Sequence, residues 1–258
     1  MEKKRIVVKV GTSSLTYDTG KLNIRVIEEL AAVLSDIQNS GSQVVLVSSG
    51  AIGVGAQKLG FKTHPRDTAG RQAAAGVGQT ELMFMYDKFF AQYSNTVAQL
   101  LLTKGDVLDE VRKTNLKNTF DKIFEYGAVP IVNENDSVST EEIEFGDNDT
   151  LSAITAKLVS ADLLIILTDI DGLYDDNPRT NPNANLIETV EEITPEIEAI
   201  AGGSGSVRGT GGMITKISAA KIAVNSGIDV AVINGSDVKN IYNVLSGDFR
   251  GTYFKAKK

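Results

Sequence analysis

The sequence predicts an α/β fold of three layers, a sandwich with helices on both faces of a mainly parallel central sheet. Three observations lead there. Short apolar runs rich in β-branched residues recur at 6–8, 44–47, 97–102, 129–132, 163–167 and 230–233. Between them lie stretches whose apolar residues fall at helical spacing, as in Val26, Ile27, Leu30, Ala31, Val33 and Leu34, and that alternation is the signature of parallel strands joined by helices. The runs are also continuous instead of alternating with polar residues, the pattern of strands buried on both faces.

The elements follow in order. The first run carries Lys9 at its end and opens into Gly11-Thr12-Ser13-Ser14 before the helical pattern of 26–34. The second ends in Ser48-Ser49-Gly50 and leads into Ala51-Ile52-Gly53. A long helical region is expected over 67–93, where Leu82, Met83, Met85, Phe89 and Phe90 supply either a core face or a surface for assembly. The run at 129–132 ends in Asn133-Glu134-Asn135-Asp136, and Gly146-Asp147-Asn148-Asp149 precedes the helical pattern of Leu151, Ile154 and Leu158. The run at 163–167 ends in Thr168-Asp169-Ile170-Asp171-Gly172. Residues 201–206 read as a flexible loop, Thr210-Gly211-Gly212 opens a helix with Lys216 one turn inside it, and 251–254 is a last strand. In open sheets of this kind ligands gather at the carboxyl ends of strands, where these polar clusters stand.

Composition sets the bounds. The 258 residues are 42% hydrophobic and 23% charged with 24 Gly and 5 Pro, an ordinary globular balance. No Pro-rich linker, repeat or shift in composition forces a boundary, so one domain over 1–258 is expected. Lys+Arg 26 against Asp+Glu 33 gives a net charge of -7, which argues against non-specific nucleic-acid binding and against an anionic membrane surface. A small anionic ligand would need a local cationic pocket. With no Cys and one His, disulfides, thiolate nucleophiles and zinc fingers are excluded. A serine triad would have to use His64, which we read as a loop residue beside Pro65. No leader precedes Ile6 and no apolar run approaches the roughly 20 residues of a membrane helix, so a cytoplasmic location is expected.

Each cluster has a plain reading as well as a chemical one. Lys9 with its Gly/hydroxyl loop suits phosphate oxygens, but a solvated lysine before a turn fits equally, and neither a Walker motif nor a dinucleotide fingerprint is present. The Ser48-Ser49-Gly50 turn is a seat for a carboxylate or an ordinary helix cap. Four consecutive polar residues at 133–136 suit an amino acid's ammonium and carboxylate, or a cation's waters. Asp147 and Asn148 can cap a helix, and a carboxylate there can also orient lysines. Together, two lysines on separate glycine loops, acidic capping positions and no nucleophile point to phosphoryl transfer, in which positioning and charge neutralisation do nearly all the work.

In order along nearly the whole chain, Val8-Lys9-Val10-Gly11-Thr12-Ser13, Ser48-Ser49-Gly50-Ala51-Ile52, Val77-Gly78-Gln79, Asn133-Glu134-Asn135-Asp136, Gly146-Asp147-Asn148-Asp149, Leu167-Thr168-Asp169, Gly172-Leu173-Tyr174 and Thr210-Gly211-Gly212-Met213-Ile214-Thr215-Lys216 resemble the amino acid kinase family. Within it they are most similar to the members that act on glutamate. The resemblance implies ATP-dependent phosphorylation of the L-glutamate side-chain carboxylate, the first step toward proline, with Mg²⁺ on the ATP phosphates and no protein ligand assigned to it. By the same resemblance Lys9, Asp149 and Lys216 are catalytic, and Lys9, Gly11, Thr168, Asp169, Thr210, Gly211, Gly212, Met213 and Lys216 bind ATP. Ser49, Asn133, Asp136, Asp147 and Asn148 bind glutamate. It further implies proline as a feedback inhibitor and a homodimer or homotetramer. Many such kinases continue into a PUA domain, which this chain is expected to lack.

The chemistry agrees with those roles. A carboxylate is already a nucleophile at neutral pH and needs no general base. Its difficulty is repulsion from a polyphosphate, which two lysines and Mg²⁺ relieve. Acetylglutamate, aspartate, carbamate or UMP are rival acceptors, and a non-catalytic sensor of nucleotide or amino acid is a rival class. The dense polar pair at 133–136 and 146–149 favours a free amino acid, whose ammonium and α-carboxylate must both be paired.

Overall fold

The computed structural model describes residues 4–61, 63, 65–138, 147–203 and 212–257. Among them the chain runs β1 (Arg5–Lys9), α1 (Thr12–Leu15), α2 (Ile24–Asn39), β2 (Gln43–Val47), α3 (Ala51–Lys58), α4 (Thr68–Ala91), β3 (Val97–Leu102), α5 (Lys104–Leu108), α6 (Glu110–Glu125) and β4 (Val129–Glu134). It continues through α7 (Asn148–Leu158), β5 (Leu163–Thr168), β6 (Thr189–Val190), α8 (Pro195–Gly203), α9 (Met213–Val224), β7 (Asp229–Asn234), α10 (Asn240–Ser246) and β8 (Gly251–Phe254). The expected alternation of strand and helix, and the mainly parallel pairing, are both present. The chain divides into two compact units, Met1–Lys9 with Gly146–Lys258, and Val10–Phe145.

In the first unit the strand order is β1-β5-β7-β8-β6. β1, β5 and β7 are parallel, with Lys9 opposite Ile166 and Thr168 opposite Asn234, whereas β8 runs antiparallel to β7. All six residues of β5 are buried, so both faces of that strand are covered, as its unbroken apolar run requires. Helices α7 and α9 pack against each other, and both are rich in fully buried small side chains, Ala153, Ala156, Ala219, Ala220 and Ala223, of the kind that lets backbones approach.

In the second unit the order is β3-β4-β2, all parallel. Asn23 caps α2 by accepting from Val26 N, and Ile27, Leu30, Ala31, Val33, Leu34 and Ile37 form its buried stripe. The helix expected over 67–93 is α4, started by Asp67, whose carboxylate accepts from Gly70 N at 2.7 Å. Leu82, Met85, Phe89 and Phe90 are buried within this unit while Phe84 is 63% exposed. That apolar face therefore packs the core, and its buried side chains are not available to a partner.

Two expectations need correction. Residues 201–203, read as the start of a flexible loop over 201–206, belong to the end of α8; residues 204–206 lie outside the described residues. β4 also runs two residues past the apolar run, because its ladder with β3 continues through Leu101 opposite Asn133 and Leu102 opposite Glu134.

α3 and α4 pack backbone to backbone. A Cβ on Gly55 would stand 1.7 Å from Ala74 O, and one on Gly78 would stand 1.8 Å from Ala51 O. Neither carbonyl can give way without unwinding its helix. Gly76, two residues from Gly78 on another side of α4, has only Ser137 Oγ at 3.6 Å from its would-be Cβ. Replacement of Gly78 by Ala is expected to lower stability by about 1–3 kcal/mol, the cost of overpacking. Gly76→Ala should be neutral or stabilising by up to about 1 kcal/mol, from helix propensity alone. Chemical-denaturation midpoints of the two variants check this difference in sign.

Candidate active site

Three charged side chains meet in the first unit. β1 delivers Lys9 at its carboxyl end, the first turn of α7 delivers Asp149, and the first turn of α9 delivers Lys216. Lys9 Nζ lies 2.6 Å from Asp149 Oδ1 and Lys216 Nζ lies 3.1 Å from Oδ2. The contact with Lys9 is a close ion pair, Oδ1 having no aligned hydrogen-bond donor. All three residues are at least nine-tenths buried, with relative exposures of 8%, 0% and 5% for Lys9, Asp149 and Lys216. The trio carries one net positive charge, the local cationic feature that an acidic chain needs if it is to hold an anion.

Desolvation makes such a trio costly, and a buried ion cluster is weak evidence for stability. Its geometry is nevertheless closely specified. Burial alone would raise the Asp149 carboxyl, but the Lys9 and Lys216 charges outweigh it and hold the group below the ordinary carboxylate range. Thr215 Oγ1 stands 2.8 Å from Asp149 Oδ2 and 2.7 Å from Gly212 O. Its single proton is shared between an anion and a carbonyl, and the anion is the stronger acceptor.

Asp147 shows the opposite shift. It caps α7 by accepting from Thr150 N at 2.7 Å, yet burial, with the Asp149 charge adding to it, raises its carboxyl above the ordinary range. Two carboxyls two residues apart are thus driven in opposite directions by their surroundings. Asn148 lies between them, half-buried. Thr168 and Asp169 stand at the end of β5. Thr168 Oγ1 donates to Asp169 Oδ1 at 3.2 Å, and Arg179 pairs with Oδ2. Burial works against Asp169, but its hydrogen bonds and Arg179 keep the carboxyl low. Gly212 and Met213 open α9 with no side-chain cap, which leaves first-turn N–H groups for other acceptors. Thr210, Gly211 and His64 lie outside the described residues.

The remaining predicted residues lie in the second unit. Gly11 precedes α1 and is half-buried. Ser49 is buried after β2, where Gly50, at φ +92°, is the N-cap of α3. The serines therefore do not cap this helix; a left-handed glycine does, which leaves the hydroxyls to other partners. Ser48 Oγ lies 2.8 Å from Tyr86 OH, both buried. Asn133 is tied at both ends of its amide, donating to Gln79 Oε1 at 2.9 Å and accepting from Glu134 N at 2.9 Å. Asp136 is half-buried in the turn after β4. Ser48 N donates to Val132 O, so the ends of β2 and β4 lie side by side.

Sequence reasoning missed Thr215, Gln79, Tyr86 and Arg179 as partners of the predicted residues. Gln79 and Tyr86 lie seven apart, on one side of α4. That spacing was a usable signal only once the strand ends they meet were known.

A buried carboxylate shared by two lysines thus stands at a strand end and two helix N-termini of a mainly parallel sheet, an arrangement whose net positive charge suits an anion. The amino acid kinase family signature matches residues 4–234, and the chain belongs to that family. It is 55% identical over 261 residues to the glutamate 5-kinase of Clostridium perfringens (strain 13 / Type A), covering 100% of this chain and 97% of that protein. It is 52% identical to the glutamate 5-kinase of Listeria innocua, covering 99% and 94%. Among solved structures it resembles carbamate kinase from Giardia lamblia bound to AMP-PNP, with TM-score 0.71, 16% identity and 99% of each chain covered. UMP kinase from Ureaplasma parvum gives TM-score 0.69 at 18% identity, over 99% of this chain and 100% of that one. The expected fold class is thereby borne out.

Removing the shared charge has a definite consequence. Asp149→Asn leaves two buried ammonium groups facing an amide and is expected to cost about 3–5 kcal/mol near neutral pH. The native carboxyl is lower than in the unfolded chain, so its contribution is fully present above the ordinary carboxylate pKa and is lost as pH falls through the native value. Denaturation curves of wild type and Asp149→Asn should therefore converge on acidification. A gap that stays constant down to the acid limit would contradict the ion-pair account.

Proposed function

We propose that this chain transfers the γ-phosphoryl group of ATP to the side-chain carboxylate of L-glutamate, giving γ-glutamyl phosphate and ADP, the first step toward proline. The observation that carries the reading is the buried Lys9–Asp149–Lys216 cluster, on a chain more than half identical, end to end, to proteins named glutamate 5-kinase. A carboxylate oxygen of glutamate attacks phosphorus. The bond from phosphorus to the β–γ bridging oxygen breaks, and its electron pair leaves with ADP. No proton moves, so the absence of a cysteine and the presence of a single histidine are no handicap.

Lys9 and Lys216 offset the charge of the transferring group, and Asp149 holds both ammonium groups at fixed distance, so little reorganisation is needed as charge builds. Thr168, Asp169, Gly11, Gly212 and Met213, with Thr210 and Gly211, take the nucleotide. The uncapped first turn of α9 suits phosphate oxygens. Ser49, Asp136 and Asn148 take glutamate, with Asn133, which also bonds Gln79 and Glu134, and Asp147, which also caps α7, beside it.

Among the described residues no group of three or more His, Asp or Glu is arranged to hold a metal. The reading has Mg²⁺ carried on the ATP phosphates, where it would neutralise charge on the leaving group. Among the described residues no helix is long and apolar enough to cross a membrane. The reading also takes 1–258 as one kinase domain acting in the cytoplasm, as a homodimer or homotetramer, with proline as inhibitor.

The test is ADP release from Mg-ATP with L-glutamate, with hydroxylamine trapping the acyl phosphate. Glutamate-dependent hydroxamate is expected, and Lys9→Ala or Lys216→Ala should lower kcat at least ~10²-fold. Transfer to acetylglutamate, aspartate or UMP in place of glutamate would overturn the acceptor. Wild-type turnover by either lysine variant would overturn the site.

A further inference from the structure

The segment that follows β5 carries Thr168 and Asp169 and then turns through Ile170-Asp171-Gly172-Leu173-Tyr174. Three side chains converge on Asp171. Arg250 Nε donates to its Oδ2 at 2.7 Å, Tyr174 OH donates to the same oxygen at 3.1 Å, and Asn234 Nδ2 donates to Oδ1 at 3.0 Å. Asn234 is the residue opposite Thr168 across the β5–β7 ladder, and Gly235 N donates to Thr168 O at 2.8 Å. A second tie lies two residues on. Thr252 Oγ1 accepts from Leu173 N at 2.8 Å and donates to Ile187 O at 2.7 Å. Gly172 passes so close that a Cβ there would stand 2.4 Å from Thr252 Oγ1.

The turn is therefore held from the start of β8, by Arg250 and Thr252, and from the end of β7, by Asn234. Arg250 stands outside residues 4–234 matched by the family signature, and its side chain is 72% exposed, so it has no part in the core. An exposed arginine adds little to stability. Its planar fork does fix direction, bonding the carboxylate through Nε while NH2 reaches Tyr174 OH at 3.5 Å.

We infer that Arg250 is a positioning residue for the nucleotide, acting through Asp171 to set the turn that presents Thr168, Asp169 and Tyr174. The inference rests on the proposal that Thr168 and Asp169 take ATP. It predicts an effect on nucleotide affinity that is separate from glutamate affinity and from folding, because Arg250 touches neither the Lys9–Asp149–Lys216 cluster nor the strand ends that carry Ser49 and Asp136.

The experiment is calorimetric binding of MgADP to wild type, Arg250→Ala, Arg250→Lys, Asp171→Asn and the Arg250→Ala/Asp171→Asn double variant, with KM for ATP and for glutamate measured in parallel. Arg250→Ala is expected to weaken MgADP on the order of fivefold, the scale of one partly exposed charge-assisted hydrogen bond. KM for ATP should rise in step, and KM for glutamate, kcat and the thermal midpoint should stay near wild type. The double variant should be no worse than the poorer single one. Arg250→Lys should recover part of the loss, since it restores the charge without the fork. Unchanged MgADP affinity in Arg250→Ala, or equal weakening of nucleotide and glutamate, would overturn the inference. If wild type phosphorylates another acceptor, the glutamate assignment fails while the nucleotide readout still decides this one.

Discussion

Asp149 is one carboxylate serving two ammonium groups. That sharing constrains the first unit more than any apolar contact does. For Lys9 Nζ and Lys216 Nζ to reach opposite oxygens of one carboxylate, β1 must end level with the first turns of α7 and α9. The two helices must also lie close enough for their N-termini to meet. The direct packing of α7 on α9 meets the second demand, and the two ion pairs themselves show that the first is met. Burying such charges carries a desolvation penalty that their pairing offsets only in part, and the proposed function gives the cluster a use that stability alone does not.

The same reasoning accounts for a protein of net charge -7 acting on polyphosphate. The global field repels the ligand only weakly at physiological salt, since it is screened within about 8 Å. Lys9 and Lys216 are buried, in a medium where screening is slight. Burial raises the Asp147 carboxyl, whereas the Lys9 and Lys216 charges hold the Asp149 carboxyl low against its own burial.

The second unit achieves precision differently, through close backbones and buried neutral hydrogen bonds. Gly55 and Gly78 let α3 and α4 touch, and α4 then sets Gln79 and Tyr86 against the ends of β4 and β2. Asn133 joins this framework through both ends of its amide, donating to Gln79 and accepting from Glu134 N, so a residue that looks like a ligand in the sequence also braces the strand end. The identical amide chemistry of asparagine as brace and as ligand explains why composition could not separate the two roles.

The sequence by itself determined the layer architecture. Continuous β-branched runs suit strands covered on both faces, and the helical spacing between them points to a mainly parallel sheet. It also offered Lys9, Asp149 and Lys216 as candidates, each with an equally plain reading, and it was the resemblance to the amino acid kinase family that joined them as a catalytic trio. Only the tertiary structure decided who touches whom. The sharing of Asp149, the commitment of Asn133 to Gln79, and the tie from Arg250 to Asp171 join residues 140, 54 and 79 positions apart or fewer. Local periodicity carries no information on such separations, since it reports which side of an element a residue occupies and not which other element faces it. The glycine cap of α3 and the helical 201–203 escaped for a related reason: glycine permits a turn, a cap or a close approach alike, and the neighbouring backbone selects among them.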